Sequence, residues 1–254
     1  MSSTIDTATG LYVYSFLRAR DQQAIKDANL RGIEDAAVDV LTYADLAVAV
    51  SPIVAKKIRP QRKFLAAHQE IVTQLSKNWS ALPVAFGLIA DNEEQIQHIL
   101  TANQRVLSEQ IDRVEGQVEM SVSLRWTAEN VPKYFVDRYP ELAAARDAIA
   151  AGTASRDDQI EMGRTFERLL NNERLENTQK FLDGLRPITT EIDVQPTRQD
   201  AEVMRLACLI KRDREDQFNQ AIYQIATQFS DDFAISFNGP WPAYSFVKLA
   251  LSME

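Results

Sequence analysis

The sequence predicts an α+β protein of two domains, on three observations. The first half mixes short β-branched runs with amphipathic stretches, without a regular βαβ repeat. Beyond Trp126 the chain becomes rich in Ala, Glu, Arg, Gln and Asp, and looks helical. The last part returns to a strand–helix–strand pattern and closes on Gly239, Pro240, Trp241 and Pro242. A length of 254 residues suits two modest domains or one large one.

Residues 11–17 (LYVYSFL) are aromatic and β-branched and read as a strand. Residues 18–31 are polar and irregular, a loop or a short helix. Two apolar runs, 36–41 and 46–50, joined through Thr42, Tyr43, Ala44 and Asp45, look like a hairpin, and Pro52 ends that sheet. Residues 62–79 form a helix, because Phe64, His68, Ile71, Leu75 and Trp79 recur every three or four positions as one apolar stripe. Residues 83–90 (PVAFGLIA), nearly all apolar, suit a strand covered on both faces. Asp91 can cap the next helix, with Glu94 as its capping-box partner, and that helix carries Ile96, Leu100, Leu107, Ile111 and Val114 on one side. Val118, Met120, Val122, Leu124 and Trp126 alternate with polar residues, so this strand has one buried and one wet face. The order β-β-β-α-β-α-β fits an open sheet with helices on one face, a modified ferredoxin-like arrangement over residues 1–126.

Residues 127–254 make the second domain. Residues 139–185 read as a long helical hairpin broken at Gly152 and Thr153. Its second helix starts near Ser155 and carries Ile160, Phe166, Leu169 and Leu170, then Phe181, Leu182 and Leu185 after a polar run. Glu176 and Lys180 have the i,i+4 spacing of a favourable pair. Pro187 and Pro196 bracket a loop or edge strand at 188–195. A strand at 203–210, a helix with Phe218, Ile222, Ile225 and Phe229 inward, and a strand with Phe233, Ile235 and Phe237 alternating complete a β-α-β unit. The prolines that follow fix φ and donate no hydrogen bond, and Gly239 tolerates unusual φ, so this end reads as a rigid corner folded onto a core.

An apolar fraction of 45% excludes a disordered chain. Cys208 stands alone, so no intramolecular disulfide forms and a reducing compartment is expected. A net charge of −8 argues against general binding of nucleic acid or anionic lipid. Residues 1–10 lack the basic and apolar blocks of a signal peptide, and no apolar run approaches the roughly 20 residues of a membrane span.

Motifs for chemistry are sparse. His68 lies on an apolar stripe, where a buried, hydrogen-bonded ring is the plain reading; His98 lies off the next stripe. Neither has the spacing of a metal ligand set, so no metal and no cofactor is expected. Cys208 sits mid-strand among apolar neighbours and reads as inert. No nucleophile elbow and no glycine-rich phosphate loop occurs. The acidic pairs Asp157–Asp158 and Asp231–Asp232 suit helix starts and solvated charge. The mixed run at 211–216 (KRDRED) starts a helix after a strand.

The terminal stretch Phe237, Asn238, Gly239, Pro240, Trp241, Pro242, Ala243, Tyr244, Ser245, Phe246, Val247 resembles the C-terminal signature of the gas vesicle protein F/L family. The usual form is close to LTGPWPPYSFV, so Phe237, Asn238 and Ala243 depart from it. Three further places resemble the family in order: the opening strand with Tyr12, Val13 and Tyr14, where Ser15 replaces a Gly; His68 followed by Leu82, Pro83, Phe86 and Gly87; and Leu209 to Arg212 followed by Phe218. The resemblance implies a minor component or assembly factor of gas vesicles, inside the cell. Such a protein is implied to bind the small, hydrophobic main shell protein and other gas vesicle proteins, to limit shell-protein aggregation during nucleation, and to have no enzymatic activity. Candidate partner-binding residues are Trp241, Tyr244, Phe246 and Phe86, with Gly239, Pro240, Pro242, Pro83 and Gly87 as the structural frame. A buried turn without partner contact is the plainer alternative for both stretches. The rival function is a small-molecule sensor or enzyme with a ligand between two ferredoxin-like domains, lined by His68 and the cluster at 211–214.

Overall fold

The computed structural model describes residues 10–249. The chain divides into two compact units. One holds the described residues through Glu119 together with those from Pro240 onward; the other is Met120–Gly239. A cut at 126/127 assigns the terminal corner to the second domain, whereas the structure groups it with the first unit.

In the first unit β1 (Gly10–Arg18) leads through a 3-10 turn into the short helix α1 (Gln22–Asp27), then into the hairpin β2 (Asp39–Tyr43) and β3 (Leu46–Ile53). β1 pairs antiparallel with β3 from Gly10↔Ile53 to Arg18↔Leu46, with a bulge between Val13 and Ser15. Both strands are buried along almost their whole length, which suits their runs of Val, Ala, Tyr and Phe. Pro52 does not end the sheet: β3 continues to Ile53, with Leu11 as the Cα partner of Pro52. β2 stops opposite Val50, so β3 is open on that side at Pro52, where a proline is tolerated. Ala44 makes the hairpin turn at φ 52°.

Helix α2 (Arg62–Asn78) buries His68, Ile71, Val72 and Leu75. Its start breaks the usual rules. Gln61 makes no side-chain cap, and Arg62 and Lys63 occupy the first turn without an acidic residue. Cations there oppose the helix dipole by roughly 0.3–1 kcal/mol each.

The expected strand at 83–90 is instead two stubs, β4 (Leu82–Pro83) and β5 (Ile89–Ala90), each pairing with β1. The chain leaves the sheet between them. Gly87 adopts φ 99°, a conformation no strand contains, and its N–H goes to the Tyr12 hydroxyl at 3.0 Å. The sheet order is β2-β3-β1-β4, with β5 also on β1.

The next expected helix is two. Asn92, rather than Asp91, caps α3 (Glu93–Ala102) by accepting the Gln95 N–H. Asn103 then leaves helical geometry at φ −114°, and α4 (Gln104–Val114) follows. The Asn103 side chain donates to the Ile99 carbonyl at 2.8 Å, alongside its own backbone N–H at 3.1 Å, so the last turn of α3 closes on Asn103. All five residues of the expected stripe are buried, split between the two helices.

Strand β6 (Gln117–Trp126) buries Val118, Met120, Val122, Leu124 and Trp126. The second unit continues with α5 (Val131–Arg138), α6 (Pro140–Ala150) and the long α7 (Arg156–Leu185). The two helices expected over 139–185 are α6 and α7, and α5 precedes them as a further helix. Pro132 and Pro140 stand in the first turns of α5 and α6, where a missing N–H costs nothing. Gly152, at φ 70°, separates α6 from α7, and Ser155 with Asp158 forms a capping box on α7.

Then come β7 (Glu191–Gln195), β8 (Glu202–Lys211), α8 (Glu215–Ala226) and β9 (Phe233–Trp241), in the sheet order β7-β8-β6-β9. β9 runs through Gly239 and Pro240 to Trp241, against the expectation that the corner stops the strand. It is an edge strand, where a proline breaks no central ladder.

Candidate functional site

Alternate residues of β1 place Tyr12 and Tyr14 together, with ring centroids 4.9 Å apart. His68 comes onto them from α2, stacked on Tyr14 at 5.9 Å and edge-on to Tyr12 at 5.7 Å. Phe86 meets His68 at 5.7 Å and Tyr12 at 6.0 Å.

The hydrogen bonds of this cluster have a fixed direction. The Val84 carbonyl can only accept, so His68 Nε2–H donates to it at 3.1 Å. In the neutral ring Nδ1 then accepts from the Tyr12 hydroxyl at 3.0 Å, and the Tyr12 oxygen accepts the Gly87 N–H. Burial holds the His68 pKa below its ordinary value and pushes the Tyr12 phenol up. Tyr14 is engaged elsewhere: its hydroxyl accepts the Ile33 N–H at 2.8 Å and pairs with Ser51 Oγ at 2.8 Å. Both ring nitrogens of His68 are therefore occupied by the protein itself, and the cluster works as a brace. It ties Val84 and Gly87, the flanks of Phe86, to β1 and α2.

Phe86 is held half-buried at the surface. Beside it a depression of ≈680 Å³ runs along the outward stripe of α2, formed by Arg62, Leu65, Ala66 and Gln69. A second depression of ≈470 Å³ lies over residues 83–88 and is closed by Val247 and Leu249. Phe86 and Tyr244 line both. The terminal segment is fastened by Glu119, whose carboxylate accepts the Ser245 N–H and O–H, each at 2.8 Å. Burial pushes the Tyr244 phenol up to about 12, although the residue is 37% exposed.

Two of the four sequence-predicted partner residues, Phe86 and Tyr244, thus meet. Trp241 is 42% exposed and does not line either depression. Phe246 is a correction: at 1% exposure it belongs to the core and presents nothing to a partner. Among the frame residues, Pro83 lies buried in β4, paired with Ser15. Gly87 and Gly239 take φ 99° and 139°, Pro240 is exposed, and Pro242 is buried. Leu65 was not anticipated. It lies off the inward stripe of α2 and is 41% exposed, which is the signal an apolar residue on the wrong face gives.

Residues 212–214 form a 3-10 turn leading into α8. Among the described residues no three His, Cys, Asp or Glu side chains are grouped as metal ligands, and no helix is long and apolar enough to cross a membrane.

The family described as "Gas vesicle synthesis protein GvpL/GvpF" matches residues 10–248 of the chain. A gas vesicle protein F from a Streptomyces species is 25% identical over 93% of this chain and 99% of its own length. A gas vesicle protein F from Microcystis aeruginosa is 24% identical over 94% of this chain and 98% of its own. The crystal structure of GvpF from Microcystis aeruginosa superposes with a TM-score of 0.81 at 23% identity, covering 95% of this chain and all (100%) of that one. GvpF from an Anabaena species gives a TM-score of 0.84 at 22% identity, covering 95% of this chain and 99% of that one. These likenesses establish a shared fold.

Proposed function

We propose, since the chain belongs to the GvpL/GvpF family of gas vesicle synthesis proteins, that it serves gas vesicle assembly by covering the apolar surface of the main shell protein. It acts on the vesicle or beside it in the cytoplasm, as an assembly factor or minor component, and by binding rather than by turnover. The shell subunit is hydrophobic and must keep its apolar face from water, and from other copies, until it is built in. A partner with a net charge of −8 keeps the covered complex dispersed through mutual repulsion.

One observation carries this reading. Two stretches far apart in the chain, residues 83–88 and 244–249, place Phe86 and Tyr244 on the same two depressions, next to the exposed Leu65. A brace of neutral hydrogen bonds holds that apolar surface in place at the expense of any catalytic use of His68.

Co-expression with the shell protein, followed by affinity purification of this chain, tests it. The wild type retains the shell protein. Leu65→Glu puts a charge into the groove and reduces retention by about tenfold or more, with an unchanged melting temperature because the site is exposed. A well-folded wild type that retains no shell protein would defeat the proposal.

A further inference from the structure

We infer that the groove along α2 receives an amphipathic helix of the shell protein whose apolar stripe ends in carboxylates, seated over a cationic segment at 56–63. This rests on the shell-binding reading above and adds how the partner is selected.

Five of the chain's 28 lysines and arginines stand in that segment: Lys56, Lys57, Arg59, Arg62 and Lys63. No Asp or Glu occurs from 46 to 69, on a chain whose net charge is −8. All five cations are exposed, and among the described residues none is paired with a carboxylate. Ile58 packs against the core that also holds Phe64 and Phe86, which anchors the segment to the same body as the groove. Arg62 belongs to both features: it ends the cationic segment and lines the groove beside Leu65 and Ala66.

The helix start adds to the field. The first-turn N–H groups of α2 carry partial positive charge, and neither a side-chain cap nor an acidic residue offsets it. A fold that tolerates this misfit leaves the charge to be met from outside. An acidic end on the occupant meets it, and an apolar stripe fills the groove.

The groove also favours a helix over a strand. Its floor is the i, i+3, i+4, i+7 face of α2, a ridge against which another helix packs, and α2 has no unpaired backbone edge for strand addition. An anionic bilayer is disfavoured by the net negative charge of the rest of the molecule.

The test is retention of co-expressed shell protein by three full-length forms over a range of salt. One is the wild type, one carries Lys56→Glu, Lys57→Glu and Arg59→Glu together, and one carries the charge-preserving Lys56→Arg, Lys57→Arg and Arg59→Lys. None of the three positions lines the groove. The wild type loses about tenfold in retention between about 50 and about 500 mM salt. The charge reversal loses about tenfold at the lower salt, with its circular dichroism melt unchanged, and the charge-preserving form behaves as the wild type. If salt and reversal leave retention unchanged while Leu65→Glu still abolishes it, this inference is overturned and shell binding stands. Sedimentation with phosphatidylserine vesicles that the reversal abolishes, with shell retention indifferent to it, assigns the cations to lipid and also overturns it. A wild type that retains nothing at any salt removes the shell-binding reading itself.

Discussion

The two sheets of this protein have one strand order built twice. In the first unit the sequence β1, α1, β2, β3, α2, β4 gives the order β2-β3-β1-β4; in the second, β6, three helices, β7, β8, α8, β9 gives β7-β8-β6-β9. They differ at the last position. β9 is a strand of 9 residues, whereas β4 has 2, and the chain leaves the first sheet at Val84 before returning at Ile89. The candidate binding surface lies at that interruption. The same topology therefore gives a completed sheet in one unit and, in the other, a surface loop that carries Phe86.

Each unit buries a carboxylate, Glu119 in the first and Glu173 in the second, but beside the candidate surface the first unit also holds a neutral chain linked in series: Gly87, Tyr12, His68, Val84. Glu173 on α7 is 8% exposed and is met by the Tyr139 hydroxyl at 2.7 Å and Arg138 Nε at 3.3 Å. A buried charge must be matched on the spot, which locks helices together; a neutral chain can pass a positional constraint outward to a loop.

The largest effect is expected where packing alone acts. Phe135 is fully buried against Trp126, Tyr139 and Phe166, with centroids 5.5–5.6 Å away. Phe135→Ala should cost about 3–5 kcal/mol in chemical denaturation, yet leave shell retention intact wherever the protein remains folded. Loss of binding at full foldedness would place the surface in the second unit.

Tyr12→Phe should cost less, roughly 1–3 kcal/mol, because it leaves the Gly87 N–H and His68 Nδ1 without their partner. Its distinctive sign is faster hydrogen exchange at Gly87, with Glu173 and its helices unaffected. Unchanged exchange would mean that the brace does not hold the loop.

Much of this was legible in the sequence. β1, β6, β8 and the inward face of α2 announce themselves by period and composition, and the terminal signature pointed to the right family. The loop at 83–90 was not legible, because its apolar residues describe a buried strand. What breaks it is a hydrogen bond from Gly87 to a tyrosine 75 positions earlier, and no local pattern reports that. Asn103 was hidden in the same way: the apolar spacing resumes across the break, so one helix and two read alike. Trp241 misled through its neighbours, since prolines suggest a corner except on an edge strand. The doubled strand order was not legible, because the sequence shows no internal repeat.

The smallest effect expected is on pH. Burial holds His68 below its ordinary 6.5, so as pH falls through 6.5 the unfolded chain takes up a proton that the folded protein refuses. Stability conferred by the neutral ring is complete above about 6.5 and declines below it, toward the lower folded value. The melting temperature of the wild type should fall from pH 7.5 to 5.5 by more than that of His68→Gln. Parallel curves would show that the ring is not held neutral.

A photocrosslinking side chain at position 65, compared with one at 223, reads the central claim most directly. Leu65 lies beside Phe86 and Tyr244, and Tyr223 is the more exposed of the two positions, at 65% against 41%, but belongs to the second unit. Irradiation of the complex should join the shell subunit to position 65 and not to 223. Capture at 223 with none at 65, from a complex that still forms, would contradict the account.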